Sequence, residues 1–273
     1  MAYRLAPSGL FDNYFRNYHP SPYWQKRIDE VLACEDNLAI PRVKNAGEIS
    51  NGKQYMHNGI RVNLGSYYGP EYAKMLLLSK GVHEPQEEKI FMEVLKRLQP
   101  GSLMMELGAF WSFYSMWFNK EIEGAVNIMI EPDSFNIGQG KRNFKLNGMK
   151  GEFIQSFIGR EENKQENIIA IDQLVERRQI SYIDILHSDI QGYEYDMLLG
   201  ARRTFGENKV GYVFISTHSN EVHYKCLDLL KGHEYFIITS VDLEDTFSED
   251  GLIVARSSKL EGINSISVQK KQH

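Results

Sequence analysis

The chain has 273 residues, of which 42% are hydrophobic and 25% are charged, and this balance excludes a disordered or collagen-like protein. Its formal net charge is −5 and it has no stripe of lysine and arginine, so we expect no nucleic-acid partner. Its apolar runs are too short to span a membrane and its first residues lack the apolar core of a secretion signal, which predicts a cytoplasmic protein without a membrane partner.

Residues 1–80 are rich in aromatic residues and show no regular alternation of strands and helices, so we interpret them as an N-terminal extension or cap. The segment "KQYMHNGIRVN" alternates around Asn58-Gly59, which predicts a β-hairpin with a tight turn. The aromatic residues either pack the extension onto the rest of the chain, which is the commoner role, or line a substrate cleft. They are Tyr14, Phe15, Tyr18, Tyr23, Trp24, Tyr67, Tyr68 and Tyr72.

Residues 81–273 alternate short apolar runs with amphipathic stretches, which is typical of βα units on a parallel sheet. Helices are predicted over 85–98 and 220–231. Only "LEDTFSEDG" joins the last two strands, so these should pair antiparallel. The predicted fold is an α/β sheet of seven strands, mostly parallel, with an antiparallel last strand. The predicted strands are 102–108, 125–131, 152–158, 181–189, 211–218, 235–242 and 251–257.

Ligands of open parallel sheets bind beyond the carboxyl ends of the strands. The first strand ends at Gly108, where glycine allows a tight turn, although Ser112 stands where a dinucleotide site would often have a second glycine. The second strand ends in "IMIEPDSF", which places Glu131 to accept hydrogen bonds from both hydroxyls of a ribose. The alternative for Glu131 is an ordinary solvated carboxylate.

The fourth strand ends in "LHSDIQGYEYD", with Asp189 at the mouth of the sheet and His187 on the same side of the strand. The next strand ends in "STHSN", which should bring His218 beside Asp189. A carboxylate next to an imidazole can remove a proton from a hydroxyl, so we predict these two as a catalytic pair. His187 is a further catalytic candidate or a structural residue, and Glu194 either supports a helix N-terminus or shapes the cleft.

In this order the motifs resemble the FkbM family of S-adenosylmethionine-dependent methyltransferases, from "GVHEPQEE" at residue 81 to "GLIVARS" at 257. The matching motifs are "ELGAFWSFYS", "IEPDSFNIGQGKRNFKLNG", "AIDQLVER" and "LHSDIQGYE". The resemblance implies a class I, Rossmann-like methyltransferase domain over residues 81–273. The family usually has Lys, Glu, Asp and Gly where this chain has His187, Gln191, Glu106 and Ser112. These departures concern the acceptor and metal use more than the cofactor.

The resemblance also implies where S-adenosylmethionine binds. Its methionine end should lie near Glu106, Gly108 and Ser112, its ribose on Glu131, and its adenine near Ser156 and Phe157. The segment that precedes the first strand should close over it; the residues are His83, Glu84, Gln86 and Glu87. Related O-methyltransferases place a divalent cation at the mouth of the fourth strand, where magnesium would suit Asp189, but one carboxylate is too few to assign a metal.

We therefore predict an enzyme that methylates a hydroxyl of a sugar, glycan or secondary-metabolite acceptor. Its partner would be a small molecule or glycan, and the sequence leaves a homo-oligomer open. A nicotinamide-dependent oxidoreductase is the first alternative, because it would use the same glycine turn and acidic ribose ligand. The second is a non-catalytic scaffold that binds the cofactor.

Overall fold

The computed structural model describes residues 8–272 of the chain. Before residue 81 it has four helices and a small antiparallel sheet with the strand order β1-β2-β3. These elements are α1 (Ser8–Arg16), α2 (Pro22–Ala33), α3 (Asp36–Ala39), β1 (Ile49–Ser50), β2 (Lys53–Tyr55), β3 (Arg61–Asn63) and α4 (Gly69–Ser79). Strands β2 and β3 pair antiparallel around Asn58 and Gly59. Their connection spans 56–60 and so exceeds the two-residue turn that this dipeptide favours.

The rest of the described chain alternates strands and helices. In chain order its elements are α5 (Pro85–Leu95), β4 (Leu103–Leu107), α6 (Phe113–Glu121), β5 (Val126–Ile130), α7 (Ser134–Leu146), β6 (Glu152–Ile154), β7 (Phe157–Ile158), β8 (Ile168–Ile169), α8 (Ile171–Arg177), β9 (Ile183–Ser188), α9 (Glu194–Leu199), α10 (Arg202–Gly206), β10 (Val210–Thr217), α11 (Asn220–Gly232), β11 (Tyr235–Val241) and β12 (Gly251–Ser257). Helix α11 matches its predicted range closely, whereas α5 ends three residues before the predicted end.

Seven of these strands form one sheet in the order β11-β12-β10-β9-β4-β5-β6. Strand β12 is antiparallel to both of its neighbours, and the other neighbouring strands are parallel. The predicted fold class is therefore confirmed. The antiparallel strand lies inside the sheet rather than at its edge, because β12 pairs both with β11 and with the exposed edge of β10.

The sheet separates two hydrophobic clusters, because successive side chains of a strand point to opposite faces. Met104 packs in one cluster with Ile90 and Phe91 of α5, whereas Met105 packs in the other with Leu198 of α9. Layers therefore cover both faces of β4 and β9 and leave the strand ends as the place where polar groups can gather.

The prediction of a single strand over 152–158 is wrong. Strand β6 belongs to the main sheet, whereas β7 pairs with β8 in a separate two-stranded sheet. The chain changes sheets at Gln155 and Ser156, where the Ser156 hydroxyl donates to the carbonyl oxygen of Asn167 at 2.6 Å. None of the described helices combines the length and hydrophobicity that crossing a lipid bilayer requires.

Candidate functional site

A cavity of about 930 Å³ opens at the carboxyl ends of β4, β5 and β9. This is where the strand order reverses, since β5 follows β4 on one side and β9 lies on the other. The turns after these three strands form its walls, and Tyr67 and Tyr68 of the N-terminal segment line it as well. Its size and position are those of a small-molecule site.

Gly108 forms the closest approach between two of these strand ends. Its φ angle is +75°, which L side chains rarely adopt, and its N–H donates to the carbonyl oxygen of Ile130 at 2.9 Å. A Cβ atom at this position would lie 1.7 Å from the carbonyl oxygen of Asp189. Only glycine therefore lets the chain after β4 pass this close to the chain after β9.

Glu131 follows β5, is buried, and lines the cavity. One carboxylate oxygen accepts from the N–H of Phe110 at 3.1 Å, and the other accepts from the N–H of Asp133 at 3.0 Å. These bonds fix the carboxylate, and each oxygen keeps lone-pair capacity for a further donor. Burial raises the pKa of Glu131 although both backbone donors act against the rise.

Residues 156–158 line the cavity beyond Glu131. The side chain of Phe157 is 53% exposed, so one face of its ring is accessible to a flat ligand. The hydroxyl of Ser156 is buried and already bonded to Asn167, so its role at the cavity is to shape the wall. The exposed Phe157 ring therefore offers a surface on which an aromatic base can stack, next to the charged residues Arg160, Glu161 and Glu166 that also line the cavity.

Buried ionisable residues line the opposite end. Glu106 accepts from the N–H of Ser115 at 3.2 Å, and burial raises its pKa to about 7. His187 donates from Nε2 to Glu87 at 2.7 Å; burial alone would lower the pKa of His187, but Glu87 raises it overall. Glu84 accepts from the hydroxyl of Tyr114 at 2.8 Å. At this end of the cavity, therefore, the positive charges nearest to the carboxylates are those of histidine side chains.

Asp189 lies at the cavity wall with a group of ionisable side chains behind it. The Nε2 atom of His218 is 3.4 Å from an Asp189 oxygen and 3.3 Å from an Asp250 oxygen. Its Nδ1–H donates at 2.9 Å to Glu194, whose side chain is fully buried. One imidazole thus faces three carboxylates. We call Asp189, Glu194, His218 and Asp250 the acidic cluster.

Three members of the acidic cluster have raised pKa values, namely Asp189, His218 and Asp250. Burial and the neighbouring charge of Asp250 raise the pKa of Asp189 to about 8, although His218 acts against the rise. Burial alone would lower the pKa of His218, but the hydrogen bond to Glu194 and the charges of Asp250 and Asp189 raise it to about 9. Burial raises the pKa of Asp250 to about 6, with His218 opposing. Negative charge therefore exceeds positive charge when these carboxylates ionise.

The donor atoms of Asp189, His218 and Asp250 lie within 4.8 Å of one another. This spacing alone does not distinguish a cation site from a hydrogen-bonded group, because acidic residues often gather without a metal. Nothing else among residues 8–272 points to a cation at the acidic cluster, and we assign none.

Comparison with known proteins identifies the family. Residues 100–237, just over half of the chain, match the family model described as the methyltransferase FkbM domain. The chain belongs to the FkbM methyltransferase family. It is therefore an S-adenosylmethionine-dependent methyltransferase, and the resemblance of its motifs to this family is confirmed. The alternatives of a nicotinamide-dependent oxidoreductase and a non-catalytic scaffold are set aside on the same finding.

Several solved structures are similar to part of this FkbM methyltransferase. One is a precorrin-6y C5,15-methyltransferase from Geobacter metallireducens, with a TM-score of 0.45, 14% identity, and coverage of 63% of this chain and 89% of that one. Another is TrmK from M. capricolum in complex with S-adenosyl-homocysteine, with a TM-score of 0.44, 13% identity and coverage of 65% and 70%. A third is Trm5b from Pyrococcus abyssi, with a TM-score of 0.45, 15% identity and coverage of 75% and 55%. No curated protein matches the chain significantly.

The structure of this FkbM methyltransferase brings most of the predicted cofactor residues together. Five of them line the cavity: Glu106, Gly108, Glu131, Ser156 and Phe157. Ser112 and Glu87 do not line it. The Ser112 hydroxyl is buried against Gly140, where an added Cβ would lie 2.4 Å from it, and Glu87 lies behind His187. Of the segment expected to close over the cofactor, His83 and Glu84 line the cavity, whereas Gln86 bonds to Thr246 and Phe247.

The predicted catalytic residues occupy two positions. Asp189 and His187 line the cavity, whereas His218 lies behind Asp189 and does not line it. Asp250 was not predicted as a site residue, although part of the signal was present. An antiparallel strand begins at the edge where parallel strands end, so once β12 pairs with β10 the residue before β12 lies beside the end of β10.

Proposed function

We propose that this methyltransferase transfers a methyl group to a hydroxyl of a sugar, glycan or secondary-metabolite acceptor. The observation that carries this proposal is Asp189: it lines the cavity, and its surroundings raise its pKa to about 8. A carboxylate with a raised pKa is a stronger base than an ordinary aspartate, which suits removal of a proton from a hydroxyl.

The residues fit S-adenosylmethionine at this site. Glu131 would accept hydrogen bonds from the ribose hydroxyls, residues 156–158 would hold the adenine, and Glu106 would face the ammonium group of the methionine part. Burial raises the pKa of Glu106 to about 7 although His187 and the hydrogen bond from Ser115 act against the rise, so these neighbours do not offset the burial of this carboxylate, and an ammonium group would add the missing positive charge. When bound, S-adenosylmethionine supplies an activated methyl group on a positively charged sulfur.

The acceptor would lie between Asp189 and the aromatic wall of the N-terminal segment. We propose that residues 1–80 act as a cap on the methyltransferase domain of residues 81–273, with Tyr67 and Tyr68 contributing to acceptor binding. Tyr68 is 52% exposed and has a φ angle of +42°, a strained conformation for a bulky residue. A tyrosine face and carboxylate oxygens together suit a ring that bears hydroxyl groups.

Asp189 would accept the proton of the acceptor hydroxyl as the methyl group is transferred. His218 acts through Asp189 as a positioning residue, since it lies behind that carboxylate and Glu194 fixes its orientation. Alignment of two reactants contributes up to roughly 7–11 kcal/mol, and a general base typically adds on the order of 10²–10⁴ in rate. The cavity walls therefore contribute more than the base does.

The test is methyl transfer from labelled S-adenosylmethionine to a panel of neutral methyl glycosides and polyhydroxylated metabolites. With any accepted compound, Asp189→Asn should lower kcat by roughly 10²–10⁴. The kcat/KM of the wild type for S-adenosylmethionine should rise with pH through the raised pKa of Asp189, near 8, because this ratio reports the ionisation of the free enzyme and the base acts when ionised. Asp228→Asn, at an exposed position on α11, serves as the control. Undiminished turnover by Asp189→Asn would contradict the base, and exclusive transfer to nitrogen or carbon acceptors would contradict O-methylation.

A further inference from the structure

We propose that Asp189 and the acidic cluster sense the charge of the methyl donor: Asp189 loses a proton when positively charged S-adenosylmethionine binds and keeps it when neutral S-adenosylhomocysteine binds. This inference deepens the proposed function and rests on the placement of the donor in the same cavity. It concerns how the protein distinguishes substrate from product, and how the base becomes ionised before it is needed.

The first support is the position of Asp189 between the two ends of the cavity. Its carbonyl oxygen packs against Gly108, the residue midway between Glu106 and Phe110, whose N–H holds Glu131. A donor with its ribose at Glu131 and its ammonium at Glu106 must pass Gly108 with the sulfur that joins these two parts. This contact is made by the backbone of Asp189, and its side chain lines the same cavity, so we place the Asp189 carboxylate beside the charge that differs between donor and product.

The second support is what faces Asp189 from each surrounding element. His218 approaches from the end of β10, Asp250 from the segment before β12, and Glu84 from the start of α5. The amide of Gln191 donates to Asp189 at 3.2 Å, and His187 acts on it from β9. From the N-terminal segment Tyr67 and Tyr68 face it with neutral phenols whose pKa values are raised further by burial and by Asp189 itself.

The balance of these groups leaves a place for one more positive charge. His218 is shared among Asp189, Glu194 and Asp250, so it does not neutralise Asp189 by itself. Accordingly the pKa of Asp189 is raised to about 8 when no ligand is bound, so its side chain is mostly protonated at neutral pH. A fixed positive charge near a carboxylate favours its ionised form and lowers its pKa. The positive sulfur would therefore ionise Asp189 at neutral pH, whereas the neutral sulfur of the product would not.

The proton balance of a complete turnover agrees with this order of events. Asp189 releases its proton to solvent when the donor binds. The acceptor oxygen then forms its bond to the methyl carbon, the carbon–sulfur bond breaks with its electron pair going to sulfur, and the acceptor proton passes to Asp189. The product complex thus contains a neutral sulfur and a protonated Asp189. One proton leaves per methyl group transferred, and it leaves before the transfer.

The test is calorimetric titration of the full-length protein in two buffers with different ionisation enthalpies, at pH 7 and with a chelator present. The ligands are S-adenosylmethionine, S-adenosylhomocysteine and an analogue that has an ammonium group in place of the methylated sulfur. Both charged ligands should release up to about one proton more than S-adenosylhomocysteine does. The amino acid part is the same in all three ligands, so its own titration largely cancels in this difference.

Two variants identify the group that titrates. Asp189→Asn keeps the shape of the side chain and should abolish the difference in proton release, whereas Asp228→Asn should behave as the wild type. The dissociation constant of the product divided by that of the donor should rise between pH 6 and pH 8 in the wild type, by up to about tenfold per pH unit. The reason is that protonation of Asp189 weakens binding of the donor but not of the product. In Asp189→Asn this ratio should stay nearly constant with pH.

Equal proton release by donor and product would overturn the inference, as would a difference that persists in Asp189→Asn. Failure of the wild type to bind either nucleoside would contradict the placement of the donor and the inference with it. The base assignment is tested separately. If Asp189→Asn stops methyl transfer while donor and product release equal numbers of protons, the base stands and the charge sensor fails. If proton release depends on Asp189 but Asp189→Asn keeps full turnover, the sensor stands and the base fails.

Discussion

Replacing Gly108 by alanine tests the contact that brings the ends of β4 and β9 together. The added methyl group has two separate costs. First, a φ angle of +75° in alanine costs roughly 1–2 kcal/mol relative to an allowed conformation. Second, the new Cβ would lie 1.7 Å from the carbonyl oxygen of Asp189 and 3.3 Å from Cγ2 of Ile190. Relieving this overlap requires the backbone to shift, and overpacking of this kind costs typically about 1–3 kcal/mol.

The expected total loss of unfolding free energy for Gly108→Ala is therefore about 2–5 kcal/mol. Gly101, before the same strand, provides a matched control, because its φ angle is +80° and an added Cβ meets nothing within 4 Å. Gly101→Ala should show only the conformational cost of roughly 1–2 kcal/mol. Any gain from the reduced freedom of the unfolded chain is common to both variants and cancels in their difference.

Urea unfolding without ligand measures the two free energies, and calorimetry with S-adenosylhomocysteine measures binding at a temperature where both variants are folded. Gly108→Ala should bind the nucleoside more weakly than the wild type, because the displaced backbone carries Asp189 and borders the cavity, whereas Gly101→Ala should bind it as the wild type does. Equal destabilisation by the two substitutions, or unchanged binding by Gly108→Ala, would refute the account of this turn.

Three further predictions concern the cavity and the buried ion pairs. Glu131→Gln should weaken S-adenosylhomocysteine binding in calorimetry by roughly 10- to 100-fold, since hydrogen bonds to a charged group contribute about 1.5–3 kcal/mol, and unchanged binding would contradict a ribose contact. Tyr68→Ala should raise the KM for an accepted glycoside roughly three- to tenfold without changing nucleoside binding, because an aromatic contact contributes about 0.5–1.5 kcal/mol, whereas the exposed Tyr14→Ala should change neither. Burial opposes protonation of His83, but Glu84 and Glu88 raise its pKa to about 10. Protonated His83 therefore stabilises the folded protein, fully below the unfolded pKa of histidine near 6.5, and this stabilisation is lost as the pH rises towards 10. The wild type should therefore lose more unfolding free energy between pH 7 and pH 10 than His83→Gln does, and parallel curves would contradict this.

The strands of the central sheet were predictable because their burial leaves a direct mark on the sequence. Strand β10 is buried along its whole length, so its residues form a nearly continuous apolar run. The segment 152–158 reads EFIQSFI, with two apolar pairs separated by Gln155 and Ser156, and it divides between two sheets. What divides it is the hydrogen bond from Ser156 to Asn167, which lies eleven residues further along the chain. Local patterns do not reveal such a partner.

The cavity wall was predictable where a single strand determines it. Gly108 and Glu131 each follow a strand whose direction the βα rhythm fixes, so both had to lie at the same edge of the sheet. Predicting that Asp250 lies near the cavity required one further fact, namely that β12 pairs with β10 rather than lying outside β11. The short connection fixes that β11 and β12 are antiparallel but not which of them is the inner strand.

The aromatic wall depends on how the N-terminal segment is attached, and two asparagines provide the attachment: Asn143 of α7 and Asn147, the C-cap residue of that helix. Asn147 accepts from the N–H of Arg61 at 3.0 Å and donates to its carbonyl oxygen at 2.7 Å. Asn143 accepts from the N–H of Asn63 at 2.9 Å and donates to the carbonyl oxygen of Trp111 at 3.1 Å. The two side chains thus take the place of a neighbouring strand along the edge of β3.

The spacing of these asparagines explains why a helix can serve a strand in this way. Residues four apart on a helix are separated by about 6 Å along its axis, and residues two apart on a strand by about 6.6 Å, so Asn143 and Asn147 match Asn63 and Arg61 in register. Both asparagines lie in the stretch "IEPDSFNIGQGKRNFKLNG" that carries part of the family resemblance. In this chain, therefore, part of that motif joins the N-terminal segment to the helix that follows Glu131, and this attachment positions Tyr67 and Tyr68 at the cavity.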